Sequence, residues 1–556
     1  MLVVQAGCRQ HEERIASLEA TCVVLGAERD EALSRCAQVV AERDEALEQV
    51  AALSARIVEL TKQAFGRRSE RGKKKPGDII DVDARPAGAS KDAEASGAGD
   101  APPKKAKRGQ QPGRPGHGRR RYDHLSSEER VHEPHPDLLA CPRCGVAYVA
   151  FGEERCEELG WKVVVYRVVH IRPSYRRGCS CGGTKAIVTA PPPPKVIGKG
   201  RLSVGFLARL IVYKLLLGLP MARIAAALAL EGAGFAPGSL DGSLKALAPL
   251  LAPLAAAIRS RNATSDHLHM DETSWKVFET VVGKANYRWW CWIFVGKDTT
   301  AFVIKPGRGA DVVADHLGID LDAEVPSLPG GAALLASSDF ATCYQRLGRQ
   351  VVGFINLWCW AHIRRYFLRA GEGHKELKAW ADAWLELIAQ LFRAHRAWGI
   401  AASGTPEEAS AYEKVCEVVA AIDATRALQG AAPELSAPAR KVLATLDNEW
   451  DGLVAFLDHP GVCLDNNVSE RGLRRPVVVR KNCYGSGAIW SAELAADAWT
   501  ILATAAQNHL NPLSYLEAYL QACAEGGGKA PEGPAMERFM PWAVAEPDQA
   551  AWADTS

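Results

Sequence analysis

The chain has 556 residues, of which 47% are hydrophobic and 24% charged, with a formal net charge of +2. That is the composition of a soluble globular protein of about three or four domains. Its fifteen cysteines are mostly scattered singly through apolar or helical stretches, which excludes the disulfide framework of a short secreted domain and points to a reducing cytoplasm. The opening MLVVQAGC lacks a basic start and a long apolar core, so no export signal is expected. The apolar run at 202–230 is broken by Arg209, Lys214 and Arg223, so no bilayer span is expected either.

In chain order, residues 15–60 carry a heptad, with Ile15, Cys22, Val50 and Ile57 at one seam position and Leu18, Leu25, Val39, Leu53 and Leu60 at the other. AERDEAL recurs two heptads apart, at 27–33 and 41–47. Both features predict a coiled coil over 1–64, weakened by Arg29 and Arg43 in the seam; the alternative is a lone amphipathic helix. Residues 65–122 form a basic linker rich in Pro, Gly and Ala, expected to be disordered. Within it Gly113-Arg114-Pro115 is of the kind that lies in a narrow minor groove, with Arg114 as the contact, although a merely solvated linker has the same composition.

Two cysteine pairs follow in 123–190, Cys141-x-x-Cys144 and Cys179-Ser180-Cys181, separated by an alternating strand-like run at 161–171. Paired thiolates at the ends of hairpin turns suit a tetrahedral zinc site that stabilises a module with little core. The tighter bite of the second pair leaves His170 or Cys156 as a substitute ligand, and unligated thiols as the alternative. Residues 191–262 read as a helical domain with breaks near Gly218 and Gly232, for DNA binding, docking or plain packing.

From 263 to 370 short apolar runs alternate with turns and predict a mixed sheet, two of whose strands end at Asp271 and Asp339. Residues 371–450 are helical in pattern, 451–524 return to a core segment with closing helices, and 525–556 read as a polar, acidic tail. The stretch 465–482, DNNVSERGLRRPVVVRKN, sets Glu470 among cations. Asp465 or an adjacent Asn can cap a helix that brings Arg471, Arg474 and Arg475 to the carboxylate's face. A salt-bridged surface helix end is the alternative. Asp271, Asp339 and Glu470 together are the minimum for holding two Mg²⁺ ions, or Mn²⁺, for in-line displacement at phosphorus. Arg471, Arg474, Arg475, Arg480 and Lys481, with Arg364, Arg365 and the adjacent His362, are the expected DNA contacts.

The ordered blocks KQAFGRRSE at 62–70, CPRCG at 141–145, HIRPSY at 170–175, YKLLLGLP at 213–220, MDET at 270–273, SSDFATCYQ at 337–345, CWAHIRRYF at 359–367, DNNVSERGLRR at 465–475 and RKN at 480–482 resemble the DDE transposases of the insertion sequence 66 family, TnpC type. The resemblance runs from about the end of the coiled coil to the tail. It departs at the second cysteine pair, a CxC where the family has CxxC. It implies an α/β, ribonuclease-H-like catalytic core with a helical insertion before the glutamate, following a coiled coil, a zinc-finger module and a helical domain. It also implies Mg²⁺-dependent strand cleavage and joining, with Asp271, Asp339 and Glu470 in the triad roles and Cys141, Cys144, Cys179 and Cys181 at the zinc. The expected partners are double-stranded DNA, accessory proteins of the same element and, through the coiled coil, further copies of the chain, in the bacterial cytoplasm at the nucleoid. A catalytically silent DNA-binding remnant and a nuclease without strand transfer are the rival readings.

Overall fold

The computed structural model describes residues 187–553 apart from 283 and 285, together with 14, 143, 146–147, 164–176 and 185. The coiled coil expected over 15–60, the linker with Arg114, and Cys141, Cys144, Cys156, Cys179 and Cys181 lie outside the described residues. The chain divides into two compact units, Met1–Ala150 and Phe151–Ser556, and every strand and helix named here belongs to the second.

Strands β1 (Ser174–Arg176) and β2 (Ile187–Thr189) form an exposed antiparallel pair. Helices α1 (Val204–Ile211), α2 (Met221–Leu230) and α3 (Pro237–Ala263) follow, interrupted where Gly218 and Gly232 take φ of 70° and 80°. Then come β3 (His267–Lys276), β4 (Arg288–Val295), β5 (Thr300–Lys305), α4 (Ala310–Leu317), β6 (Leu334–Ser338), α5 (Thr342–Gln350) and β7 (Phe354–Trp358). A helical stretch follows: α6 (Trp360–Gly373), α7 (Lys378–Ile400), α8 (Pro406–Gly430), α9 (Ala437–Asn448) and α10 (Trp450–Val454). Next come α11 (Asn467–Gly472), α12 (Arg474–Cys483), α13 (Ile489–Gln507) and α14 (Pro512–Glu525), and the tail adds two short helices, Pro534–Glu537 and Glu546–Trp552.

The five long strands make one mixed sheet in the order β5-β4-β3-β6-β7, antiparallel from β5 to β3 and parallel from β3 to β7. Successive side chains leave a strand on opposite faces, and both faces are buried, so β4 reads RWWCWIFV without polar alternation. Cys291, Ile293 and Phe302 join a core with α3, α13 and α14, while Met270, Trp292 and Phe294 join a second core with α4, α5, α6 and the helices beyond. The edge strand β5 is covered rather than left open: Thr500 and Thr504 of α13 accept the Phe302 and Thr300 N–H groups at 2.9 and 3.0 Å, and Arg259 donates to Phe302 O. In the helical stretch, Trp380 and Trp384 of α7 both donate to Gln429 of α8 at 2.8 Å.

Three expectations change. The run at 161–171 is not a strand over its described part, 164–171; the strand is Ser174–Arg176, because only there does a partner supply a ladder, and the alternating Val164, Tyr166 and Val168 are exposed. Asp271 lies in the middle of β3, not at its end. Pairing with β4 continues from Asp271 to Lys276, whereas the parallel pairing with β6 stops at His269↔Ser337. The tail is not merely polar: Phe539 and Trp552 are buried, stacked at 5.6 Å and packed against Tyr515 of α14. Isolated aromatic anchors in a polar segment carry no periodicity that would announce this.

Among the described residues α3 alone is long and apolar enough, by length and composition, to cross a membrane. Its leucines, among them Leu240, Leu247, Leu251 and Leu254, are buried in the core it shares with α13.

Candidate active site

Asp271 and Asp339 are neighbours because of strand register. His269 pairs with Ser337 on the parallel strands; Asp271 lies two residues further along β3, and Asp339 two residues further along the chain, just past the end of β6. Asp271 Oδ1 accepts the Glu272 N–H at 2.8 Å, and Asp339 Oδ1 accepts the Ala341 N–H at 3.0 Å in the turn that leads to α5. Both carboxylates are therefore oriented by local backbone donors.

Glu470 comes from α11, a helix of six residues. The expected long helix through it is divided at Leu473, after which α12 carries Arg474, Arg475, Arg480 and Lys481. Gly472 is pressed so closely on Ile293 of β4 that a Cβ there would collide with the isoleucine. The Asp465 side chain accepts the Asn467 N–H at 3.1 Å, as a turn at the helix start requires. Glu470 faces α6: Arg365 Nη2 is 3.6 Å and His362 Nε2 3.9 Å from its Oε1. His362 is buried beside Phe340, the residue after Asp339.

The electrostatics join the three acids. Burial first, then the charges of Glu272, Asp339 and Glu470, raises the Asp271 carboxyl well above the ordinary aspartate value. Burial and then Asp339 push the Tyr366 phenol of α6 up to about 12. A divalent cation with oxygen ligands relieves repulsion of this kind, so the donor chemistry of Asp271, Asp339 and Glu470 fits Mg²⁺. Among the described residues, however, no three His, Cys, Asp or Glu side chains are gathered onto one ion-sized point.

Sequence reasoning passed over Glu272, whose carboxylate is almost wholly buried. It accepts Tyr344 Oη–H at 2.7 Å and Arg308 at 2.6 Å, and Arg308 lies over the Trp290 ring at 4.7 Å. Burial and Asp339 raise the Glu272 pKa, while Arg308 and Tyr344 oppose them. A charged residue inside a buried strand needs a partner, and that was the available signal. Nothing in the sequence pointed to Arg308, 36 residues on, or to Asn466, whose carboxamide reaches β3.

Of the expected DNA contacts, Arg364, Arg471, Arg474, Arg475 and Lys481 are exposed. Arg365 pairs with Glu470. Arg480 lies along β3, donating to Thr273 Oγ1 at 3.1 Å and Ser274 Oγ at 2.6 Å.

The fold and site define an α/β protein with one aspartate on a strand, a second just past the end of the adjacent parallel strand, a glutamate from a later helix and a cationic rim. The chain belongs to the IS66 transposase family: the sequence model described as "Transposase IS66 family" matches residues 199–494. Membership implies DNA as the partner. Three relatives come from Sinorhizobium fredii. The uncharacterized protein y4qI is 24% identical over 446 residues, 75% of this chain and 76% of its own. The uncharacterized protein y4jD is 24% identical over 424 residues, 73% and 78% respectively. The uncharacterized protein y4hP is 34% identical over 76 residues, 14% of each chain. No solved structure matches the chain.

Proposed function

We propose that the chain is a DDE transposase that cuts and joins DNA strands at the ends of an insertion sequence through Asp271, Asp339 and Glu470. The observation that carries this reading is that Asp339 and Glu470, from a separate strand and a later helix, both act on the buried Asp271 carboxyl in a member of a transposase family. The strand order, three antiparallel strands followed by two parallel ones, with α7 to α10 inserted before the glutamate, supports a ribonuclease-H-like core. Asp271, Asp339 and Glu470 would hold two Mg²⁺ or Mn²⁺ ions, which when bound activate a water or a DNA 3′-hydroxyl and stabilise the leaving oxygen.

The chain's own residues orient and neutralise. Backbone N–H groups of Glu272 and Ala341 hold the two aspartates in place. Arg471, Arg474, Arg475 and Lys481 on α11 and α12, with Arg364 on α6, offer charge to the flanking phosphates. Arg480 braces α12 against β3, beside Asp271. No side-chain nucleophile is required. Zinc at the cysteine pairs, self-association through the N-terminal heptads and accessory proteins of the same element complete the proposal.

Purified full-length protein, mixed with end-containing duplex and Mg²⁺, should give nicked 3′ ends and joined products, and Asp339→Asn should abolish both. Intact cleavage by Asp339→Asn would sink the metal mechanism. Cleavage without joining would assign a nuclease, and end binding with no Mg²⁺-dependent cleavage under any condition would assign a silent remnant.

A further inference from the structure

Asn466 is 1% exposed and lies where three parts of the site meet. Its Nδ2 donates to Met270 O at 2.7 Å, the carbonyl of the peptide that leads into Asp271. The parallel ladder between β3 and β6 ends at His269↔Ser337, so the Asn466 carboxamide supplies a donor one residue beyond the last strand partner. Its Oδ1 accepts from His269 Nδ1 at 3.1 Å, and since a carboxamide oxygen offers no proton, that ring nitrogen carries the hydrogen. Its backbone N–H donates to Cys359 Sγ at 3.2 Å, and Cys359 is the N-cap of α6, the helix bearing His362 and Arg365. On the other side, Ser469 Oγ and the Glu470 N–H both donate to the Asn466 carbonyl, at 2.9 and 3.3 Å.

One buried residue thus joins the strand of Asp271, the helix of Glu470 and the helix from which His362 and Arg365 face Glu470. α11 has only six residues, and its N-cap Asn466 makes no side-chain cap bond beyond the Asp465 turn before it, so its placement depends on such cross-links. An apolar side chain in the same volume would leave Met270 O and His269 Nδ1 without these partners.

We propose that Asn466 is a positioning residue: by clamping α11 to β3 it sets Glu470 against Asp271, so that divalent-metal affinity depends on a carboxamide bonded to Met270 O and His269 Nδ1. This inference rests on the metal-binding reading of the three acids.

The test titrates the full-length chain with Mn²⁺ in the absence of DNA, reading bound ion by electron paramagnetic resonance and folding separately by thermal melting. Asn466→Ala should weaken Mn²⁺ binding about tenfold, the scale seen when a group behind a metal ligand is removed. In a Glu470→Gln background the same change should produce no further loss, because the carboxylate that it positions is gone; general loosening of the core would act in both backgrounds. If Asn466→Ala does not fold, His269→Leu removes one of the two carboxamide bonds and should weaken binding in the same direction. Unchanged affinity in a folded variant, or an equal loss in both backgrounds, would overturn the positioning role and leave the metal reading standing. No Mn²⁺ binding by the wild-type chain would overturn both.

Discussion

Arg308 Nε donates to Glu272 Oε1 at 2.6 Å and its Nη2 stands 2.6 Å from the same oxygen, so the acid next to Asp271 is already matched by a fixed cation. Glu272 is thereby held in a tight ion pair, whereas the guanidinium of Arg365 stands 3.6 Å from Glu470. Arg308→Met should destabilise the chain by roughly 1–3 kcal/mol, the cost of leaving a buried acceptor short of a partner. The half-exposed position of Arg308 argues for the lower part of that range. Adding Glu272→Gln should recover part of the loss, since it removes the unmatched charge. Denaturant titration of the three variants checks this; an unchanged midpoint for Arg308→Met would show that the pair contributes nothing.

Arg474 stands exposed at the start of α12. Arg474→Ala should weaken binding to element ends and to unrelated duplex alike, and should reduce the slope of log affinity against log salt by about one. A slope equal to that of the wild type would remove Arg474 from the phosphate contacts.

Gly485 has φ of 136°, and a Cβ there would meet the Lys276 carbonyl, while the neighbouring Ser486 bridges to Val277 at the end of β3. Gly485→Ala should cost about 1–3 kcal/mol in backbone strain, visible as a lower melting temperature. Because this loop fastens the C-terminal end of α12 to β3, strand cleavage should fall with it.

His316 is buried, stacked on Phe294 at 4.0 Å, and its Nε2 donates to Asn262 Oδ1 at 2.8 Å. Burial first, and Arg259 second, hold its pKa down to about 3, against an ordinary 6.5. Between these values the unfolded chain binds a proton that the native state does not. The contribution is therefore fully present above the unfolded pKa and is lost as pH falls toward the folded one. At pH 5 the loss from this group is about 2 kcal/mol, and His316→Gln should flatten the decline in melting temperature between pH 7 and pH 5. An equally steep decline in the variant would assign the acid sensitivity elsewhere.

Phe539 is 1% exposed and stacks on Trp552 with 11° between the rings. Phe539→Ala should destabilise by about 3–5 kcal/mol, as for other buried aromatics. Unchanged thermal unfolding would return the tail to the polar, unattached role expected from its composition.

Much of the architecture was legible because it rests on local patterns. The apolar runs of β4 and β5, the glycine breaks before α2 and α3 and the helical stretch after Tyr366 fall where periodicity and turn residues put them. The two aspartates stand out in the sequence as acids beside apolar runs, although Asp271 lies in mid-strand. The division of the Glu470 helix at Leu473 was not foreseen, although Gly472 stands immediately before it and weakens a continuous helix, while α12 admits Pro476 in its first turn. The tail's anchoring was hidden too, since Phe539 and Trp552 are single aromatics 13 residues apart whose partner, Tyr515, lies on another helix.

By itself the sequence singled out the residues proposed for the chemistry, Asp271, Asp339 and Glu470 as hard oxygen donors and the arginines around Glu470 as cations, because residue type and local spacing decide charge and ligand class. Only the tertiary structure decided that Asp271 sits in mid-strand, that Glu272 is held by Arg308 and Tyr344, and that Asn466 joins β3 to the Glu470 helix. Those relations depend on strand register and on hydrogen bonds between groups up to 197 residues apart, and no local pattern in the chain encodes them.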